Sequence, residues 1–247
     1  MRPQVIEFIL CSGKKAAFDP FAGDGHLLRA AEKIGLVRTK GLDIDPGQPW
    51  RRNDSLKRIP NAKTAIIITN PPYLTNYSAK RKGLDASVAR YFGKSRHDDL
   101  YKIALERCLE ACEYVVAIIP ETFVNSAFPK ARLASLTILE DNPFDDTDTP
   151  VCVACFDGKA KPLSGVRIFK NDAYLGRLSR LEKKRLVPSR SLPMKFNAPR
   201  GQIALRAVDQ VSAGADGAIR FMRPEDLCYD VEKIGQSSRL ITRIEIA

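Results

Sequence analysis

The run Ile66-Ile-Ile-Thr-Asn-Pro-Pro-Tyr73 limits this chain more than any other stretch. Three consecutive isoleucines show no polar alternation. The strand they predict is therefore buried on both faces, as in a parallel sheet covered by helices. The strand passes directly into two prolines, which stiffen the loop and remove two backbone N–H donors. Acceptors remain, namely the side-chain oxygen of Asn70 and the carbonyl of Pro71, with the ring of Tyr73 beside them. Such a loop suits a planar exocyclic amine, which has two hydrogens to donate and a ring face to stack.

The flanking pattern agrees with a sheet of this kind. Pro3–Cys11 reads as a short helix, Ala16–Asp19 as a strand and Gly25–Ile34 as an amphipathic helix. Arg38–Asp43 is a strand, Asp98–Cys112 a helix and Tyr114–Ile119 a second buried strand stopped by Pro120. A helix is expected from Glu121. Leu133–Leu139 and Val151–Phe156 read as a closing β pair around an acidic loop, Glu140–Thr149. Strand and helix alternating in this way predict an α/β fold with a doubly wound, mostly parallel sheet. After Gly158 the pattern changes to strand-like pieces (Val166–Phe169, Gly217–Phe221), polar loops and one basic helix, Leu178–Leu186. The domains are therefore expected at 1–159 and 160–247.

Charge divides at the same place. The chain carries 40 Lys and Arg against 29 Asp and Glu. Residues 1–158 hold 22 basic and 20 acidic residues, whereas the remainder holds 18 and 9. A near-neutral first part with a basic tail suggests a catalytic module joined to one that binds a polyanion. Apolar residues make up 44% of the chain, enough for a packed core, which excludes disordered and low-complexity classes. The longest apolar runs, Ala65–Ile68 and Val115–Ile119, fall far short of a membrane span. Val5–Leu10, interrupted by Glu7, is too short for a signal peptide, so a soluble cytoplasmic protein is expected.

The six cysteines do not read as a disulfide framework. Cys152 and Cys155 form a CxxC inside a strand, where positions three apart face opposite ways, so buried free thiols are expected rather than a zinc site. With only two histidines, His26 and His97, metal-His and Ser-His chemistry have little material. The acidic loop around Asp141–Asp148 is expected to be a solvated loop. No metal is called for.

Two further constellations belong with the Asn-Pro-Pro-Tyr run. In Phe18-Asp-Pro-Phe-Ala-Gly-Asp-Gly-His26 a strand ends in a carboxylate and a Gly-x-Gly turn opens a helix, as where a ligand approaches backbone closely. Leu28 occupies the third glycine position of the dinucleotide fingerprint, which disfavours a nicotinamide site. In Gly41-Leu-Asp-Ile-Asp-Pro46, Asp43 closes the second strand, where a carboxylate takes ribose hydroxyls. Asp54 of Asn53-Asp-Ser55 is either an acceptor for an adenine amino group or a helix N-cap.

In this order the three motifs resemble an amino-group DNA methyltransferase that uses S-adenosylmethionine, with the gamma-class motif order of N6-adenine enzymes. Only 26 residues separate Asp43 from Asn70, too few for an intervening recognition domain. The resemblance covers about residues 3–158. It implies a class I methyltransferase fold, Rossmann-like with a seven-stranded sheet, and a smaller basic C-terminal target-recognition domain. It implies that Asp19, Pro20, Phe21, Ala22, Gly23 and Gly25 line the methionine part of the cofactor. Asp43 would hold the ribose, Ile44 would pack on its adenine, and Asp54 and Ser55 would address the adenine edge. Asn70, Pro71, Pro72 and Tyr73 would hold a flipped target adenine, with Phe156 stacking on its other face. Pro3 and the helix after it look like the remains of the family's leading cofactor motif.

Lys80, Arg81 and Lys82, between Gly83 and the catalytic loop, are expected to form part of a mobile loop on DNA phosphates. Lys183, Lys184 and Arg185 are the first tail candidates, followed by Arg190, Lys195, Arg200 and Arg206. The resemblance implies double-stranded DNA as substrate, a bacterial or phage source and a cognate restriction endonuclease as partner. The same loop also occurs in enzymes acting on RNA bases or protein glutamine, and a cytosine N4 amine is chemically similar. A DNA-binding relative without turnover is the non-enzymatic alternative. The closing run Ile244-Glu-Ile-Ala247 resembles the interior of a domain, which suggests a fragment or truncated product.

Overall fold

The computed structural model describes residues 1–144, 149–185, 189–196, 198, 200–206, 220–226 and 241–246. They form two compact units, Met1–Arg185 and Leu186–Ala247.

The first unit is built on one sheet. Its strands are β1 (Ala16–Asp19), β2 (Arg38–Asp43), β3 (Arg51–Arg52), β4 (Ile66–Thr69), β5 (Val115–Pro120), β6 (Leu133–Ile138), β7 (Val151–Phe156), β8 (Arg167–Lys170) and β9 (Ala173–Arg177). They lie in the order β3-β2-β1-β4-β5-β7-β6-β8-β9. β1 to β5 are mutually parallel, β7 runs antiparallel to both β5 and β6, and β9 runs antiparallel to β8. The sheet is thus α/β, doubly wound and mostly parallel, with nine strands rather than the expected seven. The two extra strands come from residues that composition had grouped with the tail. β8 pairs parallel with β6 from Ser135↔Arg167 to Ile138↔Lys170, so the sheet carries the first unit on to Arg185, past residue 159. The border was placed early because the strand–helix alternation stops after Gly158, whereas β8 and β9 join the edge of the sheet as a pair with no helix between them.

Alternation along the strands explains the two cores. Ile66 and Ile68 face one side with Val5, Phe8 and Ile9 of α1 (Pro3–Cys11) and Leu28 and Ala31 of α2 (His26–Lys33). Ile67 faces the other side with Tyr101, Leu105 and Cys108 of α5 (Leu100–Ala111). The CxxC behaves the same way, with Cys152 in the second core and Cys155 in the first. Cys108, Cys112, Cys152 and Cys155 are buried free thiols, and among the described residues no cluster able to hold a metal occurs. No described helix is long and apolar enough to cross a membrane.

Two short helices, α3 (Asn76–Arg81) and α4 (Asp85–Phe92), replace the mobile basic loop expected between residues 80 and 96. Thr75 caps α3 by accepting from the Ser78 amide at 3.0 Å. Gly83, at φ +66°, follows directly after it, the left-handed position that commonly ends a helix. The glycine that suggested a loop is a helix stop. The helix expected after Pro120 is one 3-10 segment, Glu121–Asn125. α6 (Leu178–Lys184) closes the unit. In the second unit β10 (Met194–Phe196), β11 (Ile203–Arg206), β12 (Arg220–Met222) and β13 (Ile241–Ile246) form an antiparallel sheet ordered β10-β13-β11-β12. The strand expected over Gly217–Phe221, the acidic loop through Asp148 and the end of the basic helix at Leu186 lie partly outside the described residues.

One side chain closes the carboxyl end of α5. The Arg132 guanidinium donates to the carbonyls of Leu109 (2.6 Å), Cys112 (2.9 Å), Glu113 (2.5 Å) and Asp157 (2.8 Å). It satisfies orphan carbonyls and sets a cation against the negative end of the helix dipole. Arg132→Met should cost about 2 kcal/mol and lower Tm by roughly 4–8 °C in a circular-dichroism melt. An unchanged Tm would mean that water replaces these bonds without loss.

Candidate active site

The carboxyl ends of β1, β2 and β4 meet at one edge of the sheet, and each ends in a motif residue. Asp19 ends β1 and is 1% exposed. Its Oδ1 accepts from Thr69 Oγ1 at 2.6 Å and from the Phe21 amide at 3.0 Å. The first bond ties the end of β4 to the start of the glycine turn. Burial pushes the Asp19 carboxyl up to about 7, against the lowering effect of these two donors and with a small further rise from Asp43.

Gly23 and Gly25 have φ of +47° and +75°, conformations that favour glycine. A Cβ on Gly23 would meet nothing within 4 Å, so open space lies against the backbone there. A Cβ on Gly25 would lie 2.6 Å from the Trp50 ring, and one on Gly41 2.5 Å from it. Trp50 also donates to the Gly23 carbonyl at 2.7 Å. This tryptophan braces the turn from β2's side, and no motif pointed to it. The signal available was a lone Trp shortly after Gly41 of β2.

Asp43 ends β2, accepting from the Gly23 amide (2.8 Å) on one oxygen and from the Asp45 amide (2.9 Å) on the other. A carboxylate has about four acceptor positions, so both oxygens keep capacity for a ligand's hydroxyls. Ile44 beside it is 48% exposed. Pro20 and Ala22 are buried and Phe21 half-buried. Asp54 sits under α4. Its Oδ2 accepts from Tyr91 Oη (3.0 Å) and pairs with Lys57 (3.4 Å), while Oδ1 is buried without a hydrogen-bond partner. Ser55 is buried and accepts from Asn53 Nδ2 at 2.8 Å. Open space at the turn, spare acceptors on Asp43 and an unmatched acceptor on Asp54 fit an adenosyl ligand with ribose hydroxyls and an amino group.

Asn70 follows β4 directly. Tyr73 Oη lies 2.5 Å from Asn70 Oδ1 and 2.9 Å from the Ile118 carbonyl. The phenol has one hydrogen, which can go to either oxygen. Burial raises the Tyr73 pKa far above neutrality, so that hydrogen stays on. The Tyr73 ring meets Tyr101 edge to face, with centroids 6.4 Å apart. The loop is stapled to the start of α5, with Asn76 N donating to Asp98 O at 2.9 Å and Leu100 N to Leu74 O at 3.0 Å. Asp99 caps α5, and burial raises its carboxyl.

These residues line a cavity of about 680 Å³, walled by Asn70, Pro71, Pro72, Tyr73, Asp99 and Phe144 among others, with Lys82 beside them. That volume is ordinary for a small-ligand site. Lys80 and Arg81 are exposed on α3. Phe156 is not part of the cavity. It is fully buried, opposite Val115 at the amino end of β5, and packs edge to face on Phe123. Because β7 is reversed, its last residue lies at the far edge of the sheet, and the loop before β7 reaches the site. The aromatic side chain that loop supplies is Phe144, whose signal was hidden among acids in Asp141–Asp148. Lys183, Lys184 and Arg185 are exposed at the end of α6 in the first unit, not in the tail.

A doubly wound sheet with a glycine turn after β1, a carboxylate closing β2 and Asn-Pro-Pro-Tyr closing β4 has class I methyltransferase architecture. Residues 45–146, which include the Asn-Pro-Pro-Tyr loop, match the model of the Eco57I restriction-modification methylase family. Comparison with curated proteins finds no match. Solved structures with a similar chain path include the type I restriction-modification methyltransferase subunit from Streptococcus thermophilus (15% identity, TM-score 0.48, covering 74% of this chain and 51% of that one). The EcoKI M protein is similar at 13% identity and TM-score 0.44, over 69% of this chain and 47% of its own. The type IIG restriction endonuclease BpuSI is similar at 14% identity and TM-score 0.45, over 93% of this chain and 30% of its own. The chain thus spans about half the length of these proteins or less.

The raised Asp19 carboxyl has a consequence for stability. An unfolded aspartate titrates near 3.9, so between about pH 4 and 7 the folded protein holds a proton that the unfolded chain releases. Stability from this group therefore falls as pH rises through that window and levels above it. Asp19→Asn keeps an acceptor for Thr69 and Phe21 and removes the titration. Urea unfolding of both proteins should show the variant gaining on wild type from pH 5 to 7. A constant difference would mean that Asp19 ionises as an ordinary carboxylate.

Proposed function

We propose that this protein is an S-adenosylmethionine-dependent DNA methyltransferase acting on the N6 amine of an adenine flipped out of the duplex, as the modification activity of a restriction-modification system. The observation that carries this reading is the pair of acceptors, Asn70 Oδ1 and the Pro71 carbonyl, at the end of a rigid buried strand and at the wall of an open cavity. The Thr69–Asp19 bond ties that wall to the glycine turn. The match over residues 45–146 supports the same class.

Bound at the turn, the cofactor would supply an electrophilic methyl group on a positively charged sulfur. The Gly23–Gly25 backbone, Asp19, Pro20, Phe21 and Ala22 would cradle its amino-acid end. Asp43 would take its ribose hydroxyls, and Ile44, Asp54 and the adjoining Ser55 would adjoin its adenine. The chain's part in the reaction is to bind and orient. An exocyclic amine is a poor nucleophile because its lone pair is conjugated with the ring. Asn70 and Pro71 each accept one of its hydrogens and so fix the nitrogen's orientation toward the turn. Holding two reactants in register supplies much of a rate enhancement of this kind. Extruding a base costs a few kcal/mol, which stacking on Tyr73 and Phe144 offsets. Lys82 stands beside the cavity for a backbone phosphate, with Lys80 and Arg81 outside it. The second unit, with Arg190, Lys195 and Arg200 exposed, is read as target recognition, with Lys183, Lys184 and Arg185 of the first unit as further phosphate contacts. A cognate restriction endonuclease is the natural partner of such an activity.

Labelled methyl transfer to unmethylated bacterial DNA, RNA and a protein extract tests the reading, with nucleoside analysis of the product. N6-methyladenine in DNA is expected, reduced at least about 100-fold in Asn70→Ala, on the scale of losing one oriented hydrogen-bonding group. Label in cytosine, RNA or protein would overturn the substrate, and binding without transfer would overturn the activity.

The two phenylalanines separate cleanly. Phe144→Ala should lower kcat/KM by roughly 10- to 100-fold, the value of one base–aromatic stack. Phe156→Leu should cost about 1–2 kcal/mol of stability and leave kcat/KM per folded molecule unchanged. The reverse ranking would restore Phe156 to the site.

A further inference from the structure

β2 and β3 form one open end of the first unit's sheet. Leu42 of β2 packs into the core that holds Phe18 and Ile67. Alternation puts Arg38 and Lys40 on that same face. Parallel pairing of Leu42 with Arg51 puts Arg51 there too. Where the neighbouring strands bury Phe18 and Ile67, this edge presents three exposed cations. Same-face positions along a strand are about 6.7 Å apart and adjacent strands about 4.8 Å apart, so the three form a ladder.

The ladder is left open by the chain's own connections. Parallel strands are usually joined through a helix, yet the link from β3 to β4 contains none. Ile59 and Ala62 from that link cover only part of the sheet. Beside them an open cleft of about 810 Å³ remains, bounded by Phe18, Arg38, Lys40 and Pro60 among others. The cleft lies at the amino ends of β1 and β2, the opposite edge from Asn70.

The region's charge is also uncompensated. Residues 36–65 contain seven cations, Arg38, Lys40, Arg51, Arg52, Lys57, Arg58 and Lys63, against three acids, Asp43, Asp45 and Asp54. None of the three acids pairs with the ladder: Asp43 accepts from the Gly23 and Asp45 amides, Asp45 from the Gly47 amide, and Asp54 from Tyr91 while pairing with Lys57 and Arg90. Arg38, Lys40, Arg51, Arg52 and Arg58 form no ion pair among the described residues. Like charges side by side on a sheet destabilise it. A regularly spaced polyanion removes that repulsion and releases its own counterions.

We propose that the β2–β3 edge is a second nucleic-acid contact surface, on which Arg38, Lys40 and Arg51 hold the phosphodiester backbone of duplex DNA outside the target-base cavity. This contact carries no sequence information. It lengthens the footprint on DNA and steers encounter, and it stands whether or not the reading of the catalytic site holds.

The test is a salt titration of binding to a long duplex lacking any methylatable site, using the full chain. Arg38→Gln/Lys40→Gln/Arg51→Gln removes the ladder at exposed positions. The slope of log K against log salt should become shallower by about 2.7, three contacts at about 0.9 each. A control that removes charge elsewhere, Lys33→Gln/Lys159→Gln, should keep the wild-type slope. Methyl transfer to a minimal target duplex serves as a separate readout and should be the same for the triple variant and wild type. An unchanged slope in the triple variant overturns the proposal, as does a change seen with RNA alone. Absence of methyl transfer in wild type would overturn the catalytic reading and leave the slope result intact.

Discussion

The hydrogen bond from Thr69 to Asp19 joins the two halves of the site. It is short, buried and spans two adjacent strands, and each strand leads at once into one of the motif loops. β1 delivers the glycine turn and β4 delivers Asn70. Neither loop can shift against the other without leaving a buried carboxyl and a buried hydroxyl unmatched, at a cost of about 1–3 kcal/mol. The rest of the first unit supports this junction. α1 and α2 pack one face of β1 and β4, α5 packs the other, and Trp50 wedges the turn from the side.

The parts of this arrangement legible in the sequence are those where one residue type has one physical use. Three β-branched isoleucines in a row favour a strand covered on both sides, and Ile66, Ile67 and Ile68 divide between two cores as that requires. Glycines at 23 and 25 mark left-handed backbone, and the structure has it there. The CxxC was readable as two separately buried thiols because strand geometry sends them to opposite faces, and Cys152 and Cys155 lie in different cores.

What was not legible depends on direction and on partners distant in sequence. A single strand's pattern does not reveal which way it runs. Val151–Phe156 was recognisable as a strand, but its reversal exchanges its two ends. That exchange takes Phe156 away from the site and brings in Phe144 from a loop whose acids disguised it. Gly83 was ambiguous for a similar reason, since a helix stop and a flexible loop use the same residue. The sheet's extension through β8 and β9 was hidden because a change of element pattern after Gly158 was used to find a boundary that follows pairing.

The single hydrogen of the Tyr73 phenol bears on how the Asn70 wall is held. Asn70 Oδ1 at 2.5 Å and the Ile118 carbonyl at 2.9 Å compete for it, so one of the two is always left without it. A donor that reached Asn70 Oδ1 would not add a bond outright; it would take part in an exchange, with the phenol turning to Ile118. Selectivity in such a wall comes from the difference between two nearly balanced hydrogen-bond patterns, and a ligand unable to complete the second pattern meets the first one intact.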